Sequence, residues 1–303
     1  FNRTELQHKL ILIEDLDGAE SVLYPLRELQ SKKRITKTVV HKDAKGDTKT
    51  IHLTVEGPVS VAGCTTQESV YEDNSNRSFL LYIDESEGQD QKIMDYQRLI
   101  SAGKINDDEE HASRVLLQNA QRVLKSIKVI NPYAEYLELP KSVFKPRRTN
   151  SHYLQFIEAI TFYKQYQREK QYDKETGEEF IETTIEDIKE ANELIIDVLL
   201  RKSDTITGAT RNHLENLKAY LKKNNQTTFT NAEIRRHLRI KETTLRRYNT
   251  QLLLENYIKK VKGKKGQLYH FEIINIDEYQ ELKNLIKNAL DNCIAQINLA
   301  TSP

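Results

Sequence analysis

The sequence predicts a helix-rich chain of mixed class, with a partial α/β core followed by an all-α domain and a small helix-and-hairpin domain. Only 10 Gly and 6 Pro occur in 303 residues, fewer than the usual ~7% and ~5%, and this scarcity of helix breakers favours helix. Short apolar runs bounded by turn residues fill the first part, whereas apolar residues at helical spacing dominate later. The predicted domains are 1–130, 131–225, 226–275 and a terminal helix at 276–303.

Composition narrows the class of protein. Charged residues make up 30% of the chain and apolar residues 38%, which is typical of soluble globular proteins. No apolar run approaches the ~20 residues that cross a bilayer, so we expect no membrane partner. The two cysteines, Cys64 and Cys293, lie far apart without a CxxC pair. This pattern excludes a disulfide scaffold or a zinc ribbon and favours a cytoplasmic location.

The chain opens with a strand and a helix. The run from Lys9 to Asp15 is short, continuously apolar and closed by Glu14 and Asp15, which indicates a buried parallel strand. A helix is predicted at 19–33, with Pro25 in its first turn or at a bend. The two carboxylates have a plain alternative role, because acidic side chains often cap the helix that follows a strand.

A basic hairpin follows. Residues 35–55 form two strand-like arms around a polar tip that contains Gly46 and Asp47, the pattern of a β-hairpin. A strand at 59–62 then ends at Thr65 and Thr66, and a further strand is predicted at 79–83. The tip and arms carry four lysines: Lys37, Lys42, Lys45 and Lys49.

The middle of the chain is predicted to be helical. Two helices are expected between 88 and 125, the second beginning near Asn106 because acidic residues follow it immediately. Residues 127–146 are irregular and contain three of the six prolines, so the best domain boundary lies there. Helices are then predicted at 150–170, 184–201 and 207–224, and the terminal helix is expected to pack on the last domain or on a partner.

The positive charge of the chain is concentrated near its end. Residues 227–274 hold 11 Lys and Arg against 4 Asp and Glu, a surplus of +7 in a chain whose total is +1. Thr230 to Glu233 has capping-box spacing and opens a short helix. A tight connection at 239–242, a second helix and two strands around Lys262 to Gly266 complete the segment. This order is typical of a winged helix-turn-helix.

Such a domain predicts DNA as a partner. The second helix would enter the major groove with Thr243, Thr244, Arg246, Arg247 and Asn249 facing DNA. The wing lysines Lys262, Lys264 and Lys265 would meet backbone phosphates. The alternative is a winged helix that contacts protein, with its charges merely solvated. The concentration of charge on the two expected elements favours DNA.

The opening segment resembles a known family. The run Ile11-Leu-Ile-Glu14-Asp15 resembles a Walker B motif, and it is followed by the hairpin, the strand that ends at Thr65-Thr66, and Arg77. This order is similar to the end of an AAA+ ATPase core of the helicase branch that includes minichromosome maintenance proteins. With Asn131-Pro-Tyr-Ala134 and Lys145-Pro-Arg-Arg148, the chain looks more closely like primase-helicases of bacterial mobile elements and phages. In those proteins a zinc finger and a toprim primase domain often precede the motor.

The resemblance implies ATP and Mg²⁺ as cofactors and several copies of the chain in a ring or filament. Glu14 would serve the metal and Asp15 the attacking water, and Thr65 or Thr66 would orient that water. Arg77 would reach the nucleotide of a neighbouring copy. Arg148 or Arg147 would contact phosphate from the helical lid, because the planar guanidinium holds phosphate oxygens in pairs. The hairpin would grip DNA in a central channel through Lys42, Lys45 and Lys49.

One motif of that family is absent from the chain. No GxxxxGK[ST] sequence occurs, and the first residue is Phe1 rather than Met. We therefore expect a fragment whose phosphate-binding loop lies upstream, and which does not hydrolyse ATP alone. A second acidic pair, Asp84-Glu85, follows the 79–83 segment as a competing Walker B motif. The function expected is part of an ATP-driven DNA helicase or translocase in the replication of a mobile element or phage. The alternative is a non-enzymatic winged-helix regulator or replication initiator.

Overall fold

The computed structural model describes residues 5–42, 48–65, 77–81, 83–84, 86–140, 143, 146–262 and 269–301. The chain divides into two compact units, residues 1–78 and residues 79–303. Helices occupy most of the described residues and the sheets are small, so the helix-rich mixed class is confirmed. Within the described ranges, no helix combines the length and the apolar character that crossing a membrane requires.

The first unit contains two parallel strands that pair with each other, and the chain that connects them forms a helix and a β-hairpin. Its elements are β1 (Lys9–Ile13), α1 (Glu20–Lys32), β2 (Arg34–Lys42), β3 (Thr48–Glu56) and β4 (Val59–Gly63). Strand β1 pairs parallel with β4, with Lys9 opposite Val59 and Ile13 opposite Gly63. Strands β2 and β3 form a separate antiparallel ladder. The predicted order of strand, helix, hairpin and strand is confirmed.

Burial in the first unit follows α1 and not β1. Leu26 and Leu29 on the inner face of α1 are buried, whereas Leu10 and Leu12 of β1 are 63% and 71% exposed. The prediction of a buried β1 is therefore wrong for the described structure. Its two-stranded sheet leaves Leu10 and Leu12 on one face, and no described residue covers them. Pro25 lies inside α1 and beyond its first turn, which was one of the two positions expected for it, the other being a bend of the helix.

The second unit begins with two helices. Helix α2 (Glu87–Ser101) starts at Ser86, whose Oγ accepts from Gln89 N at 3.3 Å. Helix α3 (Asp107–Val123) starts at Asn106, whose Oδ1 accepts from Asp108 N at 3.0 Å. Both helices were predicted. The strand predicted at 79–83 is not formed by residues 79–81 and 83, which pair with no strand of the described chain.

Three helices form the first hydrophobic core of this unit: α4 (Pro146–Tyr163), α5 (Ile185–Ser203) and α9 (Glu278–Thr301). The terminal helix α9 packs along α5, whereas we expected it to pack on the basic domain or on a partner. A small sheet lies beside them and contains β5 (Lys128–Ile130), β6 (Gln171–Tyr172) and β7 (Glu179–Glu182). The order of its strands is β5-β7-β6. The residues buried in this core include Tyr153, Ile157, Ile188, Ile195, Ile286 and Leu290.

A second core lies under the basic segment. It is built from α6 (Gly208–Asn224), β8 (Thr228–Thr230), α7 (Asn231–Leu238), α8 (Glu242–Leu254), β9 (Ile258–Lys262) and β10 (His270–Ile273). The strands form an antiparallel sheet in the order β8-β10-β9. Its buried side chains are Leu214, Leu217, Phe229, Ile234, Leu245, Leu252 and Phe271, among others. Helix α6, assigned to the all-α domain from sequence, thus contributes to the core beneath α7 and α8.

A buried arginine joins the two cores. Arg211 in α6 is 1% exposed and donates to both oxygens of Asp204, at 2.7 and 2.8 Å. It also donates to Glu278 at the start of α9, and its guanidinium lies 4.3 Å from the ring centroid of Tyr279. Burial alone would lower the pKa of Arg211, but Asp204 and Glu278 raise it above its usual value. The charge is therefore held in place by partners from α9 and from the α5–α6 connection.

Candidate nucleic-acid interface

Local signals in the sequence set the position of α7 and α8. Thr230 Oγ1 accepts from Glu233 N at 3.3 Å, and Glu233 Oε2 accepts from Thr230 N at 2.7 Å. This is the predicted capping box, and it fixes the start of α7. Helix α7 ends at Leu238, and the next residue, Arg239, has a left-handed φ of 53° that turns the chain. Only Ile240 and Lys241 lie between Arg239 and the start of α8.

The outer face of α8 carries four of the five DNA-contacting residues that we predicted on this helix. Thr243, Arg246 and Arg247 are exposed, and Thr244 is partly buried. Arg246 Nη2 lies 2.5 Å from Glu242 Oε1 and its side chain is 71% exposed. The Arg247 guanidinium lies 5.3 Å from the Tyr248 ring centroid. This surface faces away from Leu245 and Leu252, which α8 buries in the core.

Asn249 does not belong to that surface. It is 3% exposed, its Nδ2 donates to Asn231 Oδ1 at 2.8 Å, and its Oδ1 lies 3.3 Å from His213 Nε2. The prediction that Asn249 faces DNA is therefore wrong. It lies four residues after Leu245 and three before Leu252, so helical spacing places it on the buried face. That spacing was readable in the sequence.

His213 of α6, Asn231 of α7 and Asn249 of α8 are linked by these hydrogen bonds in the interior of the domain. Burial lowers the pKa of His213 to about 4, against a weaker opposing effect of its hydrogen bond to Asn249. The ring is therefore neutral near pH 7 and donates from Nε2 to Asn249 Oδ1. His213 Nδ1 has no hydrogen-bond partner in the described part of the chain. This link fixes the rotation of α8 and, with it, the direction in which Arg246 and Arg247 point.

Further basic side chains extend the exposed surface beyond the residues named from sequence. Arg235 and Arg246 both pair with Glu242, which Arg235 reaches at 3.0 Å. On the strands, Lys259 pairs with Glu272 at 3.2 Å and the Lys260 ammonium lies 4.7 Å from the Tyr269 ring centroid. The exposed basic residues between Ile234 and α8 are Arg235, Arg236, Arg239 and Lys241. The sequence indicated these four residues only through the surplus of Lys and Arg in 227–274, which does not show which of those side chains are exposed on this surface.

Part of the predicted wing falls outside the described residues. Strand β9 ends at Lys262 and β10 begins at His270, with a register irregularity between His270 and Phe271. Lys264, Lys265 and the side chain of Lys262 are not described. The two strands that support the wing are confirmed, and the role of these three lysines stays a prediction.

In the first unit, the carboxyl ends of β1 and β4 meet. Cys64 N donates to Ile13 O at 3.0 Å and Leu16 N donates to Cys64 O at 2.9 Å. The parallel pairing brings Thr65 beside the acidic run, where its Oγ1 donates to Asp17 Oδ1 at 2.7 Å. Asp17 was not named from sequence. The acidic residue that Thr65 contacts is thus the third of the run, and not Glu14 or Asp15.

The acidic pair itself is exposed. Glu14 and Asp15 are both on the surface, and Asp15 Oδ1 accepts from Asp17 N at 2.9 Å in the turn that precedes α1. The contact closes a local turn and does not cap α1, whose start receives no hydrogen bond from a capping side chain. Among the described residues, no group of three or more His, Cys, Asp or Glu side chains is placed to hold a metal ion.

The remaining residues predicted from sequence are the arginines expected to contact nucleotide, Thr66 and the lysines of the hairpin. Arg77 is partly buried and its Nη1 donates to Ser31 Oγ of α1. Its role towards a neighbouring copy stays a prediction. Thr66, Lys45 and the side chain of Lys42 lie outside the described residues, whereas Lys49 of β3 and both Arg147 and Arg148 of α4 are exposed.

Comparison of the chain with family models, with curated proteins and with solved structures found no match. The geometry and charge of the described residues are therefore the basis for a functional proposal. Two features stand out in them: the basic outer surface of α7 and α8, and the meeting of β1 and β4 beside an acidic run.

Proposed function

We propose that this chain binds DNA through the outer surface of α7, α8 and the β9–β10 hairpin, as part of an ATP-driven DNA helicase or translocase of the primase-helicase type. The observation that carries DNA binding is the exposed basic surface formed by α7, α8 and their connection. Its cations include Arg235, Arg236, Arg239, Arg246 and Arg247. A surface of this kind attracts the phosphate backbone irrespective of base sequence.

The topology of the second core supports a winged helix. A helix, a short strand, two helices and a hairpin follow one another, with the short strand β8 paired to β10. In a winged helix the second of the paired helices projects into the major groove and the hairpin contacts the backbone. Helix α8 projects Thr243, Arg246 and Arg247, and the core holds its opposite face.

The double substitution Arg246→Ala with Arg247→Ala tests the DNA contact. Losing two phosphate-directed cations is expected to weaken binding to a DNA duplex by about tenfold or more. The matched control is Lys189→Ala with Lys287→Ala, which removes two exposed cations from the helical core. Fluorescence anisotropy at fixed salt measures both. Equal affinity of the two double variants would assign the α8 surface to protein contacts.

The motor part of the proposal is supported by the first unit. Strand β1, which is followed by the acidic pair, pairs in parallel with β4, which ends two residues before Thr65. The chain between them forms a helix and a basic hairpin. This is the order in which the resembled AAA+ core places its Walker B strand, its DNA-gripping hairpin and its sensor strand. ATP, Mg²⁺ and further copies of the chain follow from that resemblance.

Substitution of the acidic pair tests the motor. In the complete gene product, Asp15→Asn or Glu14→Gln is expected to abolish ATP hydrolysis while DNA binding through α8 is retained. Asp90→Asn, an exposed carboxylate on α2, is the matched control and is expected to leave hydrolysis unchanged. ATPase activity that survives in both Asp15→Asn and Glu14→Gln would refute the Walker B assignment.

A regulator or replication initiator without ATPase activity is the second candidate. The observation that favours it is the exposed acidic pair, with Asp15 engaged in a turn. It shares the DNA-binding surface with the first candidate and differs in its response to nucleotide. A complete gene product that binds DNA but neither binds nor hydrolyses ATP would select the regulator.

A further inference from the structure

Helix α3 has an apolar face that is exposed to solvent in the described chain. Leu116 is 69% exposed and Val123 is 56% exposed. Ala112 and Ala120 lie four residues to either side of Leu116 and are also exposed, so that these four side chains share one face of the helix. A helix of 17 residues obtains most of its stability from packing such a face. The apolar face of α3 therefore needs a partner.

Contacts that attach α3 to the second unit lie at its C-terminal end and away from this face. Gln121 Nε2 donates to the hydroxyl of Tyr163 at 3.1 Å. Just beyond the helix, Lys125 N donates to the side-chain oxygen of the buried Gln165 at 3.0 Å. Gln121 comes five residues after Leu116, which is about 140° around the helix. The helix is thus fixed to the second unit while its apolar face stays open.

The charges of α3 and of the chain that follows it are separated along the helix axis. All four residues of 107–110 are acidic, whereas 111–134 contains neither Asp nor Glu. The cations of that second range are Arg114, Arg122, Lys125 and Lys128. Within the described residues, Asp108 and Arg122 are exposed and neither forms an ion pair. Two parallel copies of α3 would bring acidic turns together, whereas two antiparallel copies bring each acidic turn to the cations of the other.

Asp108 and Arg122 lie along the same edge of the apolar face. They are two heptads apart, so they occupy equivalent positions on the helix, before and after Leu116. When two α3 helices run antiparallel and meet at Leu116, Asp108 of each copy comes beside Arg122 of the other. Ala112 then faces Ala120, and these small side chains let the helices approach closely. Because the contact is symmetric, it contains the ion pair twice.

We propose that α3 is a self-association surface, and that a second copy of this chain covers its apolar face with the two helices antiparallel. Burial of Leu116 and Val123 provides the affinity, and the two pairs of Asp108 with Arg122 select the antiparallel direction. A two-fold contact closes after two copies, so this dimer differs from the ring or filament of the proposed function. It requires neither ATP nor DNA, and it carries two copies of the α7–α8 surface.

Charge reversal tests both the contact and its direction. Sedimentation equilibrium of the full chain, without nucleotide or DNA and at up to about 100 µM, measures the dissociation constant of the dimer. Asp108→Arg and Arg122→Glu each place like charges together at both ends of the contact, so each variant should dimerise about tenfold more weakly than the parent chain. An equimolar mixture of the two variants should associate as the parent does, because their heterodimer has opposite charges at both ends.

Matched controls come from the opposite side of the same helix. Glu110→Arg and Arg114→Glu reverse exposed charges that point away from Leu116, so they should leave the dissociation constant near that of the parent. Leu116→Asp places a charge at the centre of the contact and should give a monomer.

Three results would overturn the proposal. The first is a parent chain that stays monomeric, which would leave the apolar face of α3 to a different protein. The second is a pair of charge variants that dimerise as the parent does. The third is a mixture that associates no more tightly than its two components. Because DNA binding and ATP hydrolysis are measured in other experiments, failure of the proposed function would leave each of these results unchanged.

Discussion

The buried side chain of Asn249 helps to determine which face of α8 is exposed to solvent. Asn249 has the residue type of a base-reading side chain and adjoins a run of outward-facing residues, yet it is buried and bonded to Asn231 and His213. Its position relative to Leu245 and Leu252 follows from helical spacing, which outweighs residue type. The outward direction of Arg246 and Arg247 depends on this inward anchor.

Removing the anchor is expected to affect stability more than DNA contact. Asn249→Ala leaves Asn231 and His213 with unsatisfied buried groups, which should lower the free energy of unfolding by about 1–3 kcal/mol. Urea denaturation measures the loss, and Thr250→Ala, at the exposed neighbouring position, is the control. DNA affinity of the folded variant should fall by less than in the variant carrying Arg246→Ala and Arg247→Ala, because Leu245 and Leu252 still hold α8 on the core. A stable Asn249→Ala protein with lost DNA binding would return Asn249 to the interface.

His213 makes stability depend on pH in a defined direction. Its pKa is about 4 in the folded chain and 6.5 without the fold, so the unfolded chain takes up the proton first as pH falls. The free energy of unfolding should therefore decrease as pH falls from 6.5 to 4, by about 3 kcal/mol at most from this residue. Urea denaturation from pH 7 to pH 4 measures it. His213→Gln should flatten the profile, and His111→Gln, an exposed histidine, should not. Parallel profiles of parent and His213→Gln would contradict this account.

At the scale of elements, Arg211 connects the helical core to the core beneath the basic surface. Its partners come from the α5–α6 connection, from Tyr257 immediately before β9, and from α9 through Glu278. Arg211→Leu would leave the buried Asp204 without its cation, whereas Glu278 would keep Lys218 at 3.2 Å. The expected loss is about 3–5 kcal/mol of unfolding free energy.

Differential scanning calorimetry of the whole chain measures that loss of unfolding free energy in the transition of the second unit. The control Lys189→Leu removes an exposed cation from α5 and should change stability little. Because Arg211 joins the two cores, we also expect their unfolding transitions to separate in Arg211→Leu. A variant that unfolds as the parent does would show that contacts other than those of Arg211 join the two cores.

Elements with local signals were the ones that sequence reasoning predicted well. The capping box at Thr230 and Glu233, the start of α3 at Asn106 and the basic hairpin each depend on residues only a few positions apart. Elements that depend on distant partners were predicted poorly. Residues 79–81 and 83 have strand-like composition but no neighbouring strand in the described chain. Strand β1 is paired on one edge and leaves Leu10 and Leu12 exposed on one face. The packing of α9 along α5 joins residues about a hundred positions apart, so periodicity alone could not select it.

The candidate site was predictable to a similar extent. The charge surplus of 227–274 and the spacing of α8 were sufficient to name Arg246 and Arg247. The same spacing excluded Asn249, but residue type was given more weight. The contact of Thr65 with Asp17 depends on tertiary structure and has no local signal in the sequence.

At the scale of the whole molecule, the chain has a first unit with a basic hairpin and a second unit with a basic helical surface. Both carry exposed cations among the described residues. Asp187 shows a different use of charge in the second unit, because it is fully buried and pairs with Lys164 at 3.0 Å and with Arg168. Burial raises the pKa of its carboxyl, but the Thr184 N–H and these two cations outweigh that effect and lower the pKa. The DNA-binding proposal depends on the exposed cations of α7 and α8.

The salt dependence of duplex binding tests this proposal most directly. For the parent chain, the logarithm of the binding constant should fall steeply and linearly with the logarithm of salt concentration. The variant carrying Arg246→Ala and Arg247→Ala should have a slope shallower by about 2, since each lost phosphate contact removes ~0.9. Identical slopes for parent and variant would contradict the proposal, because the cations of α8 would then release no counterions from DNA.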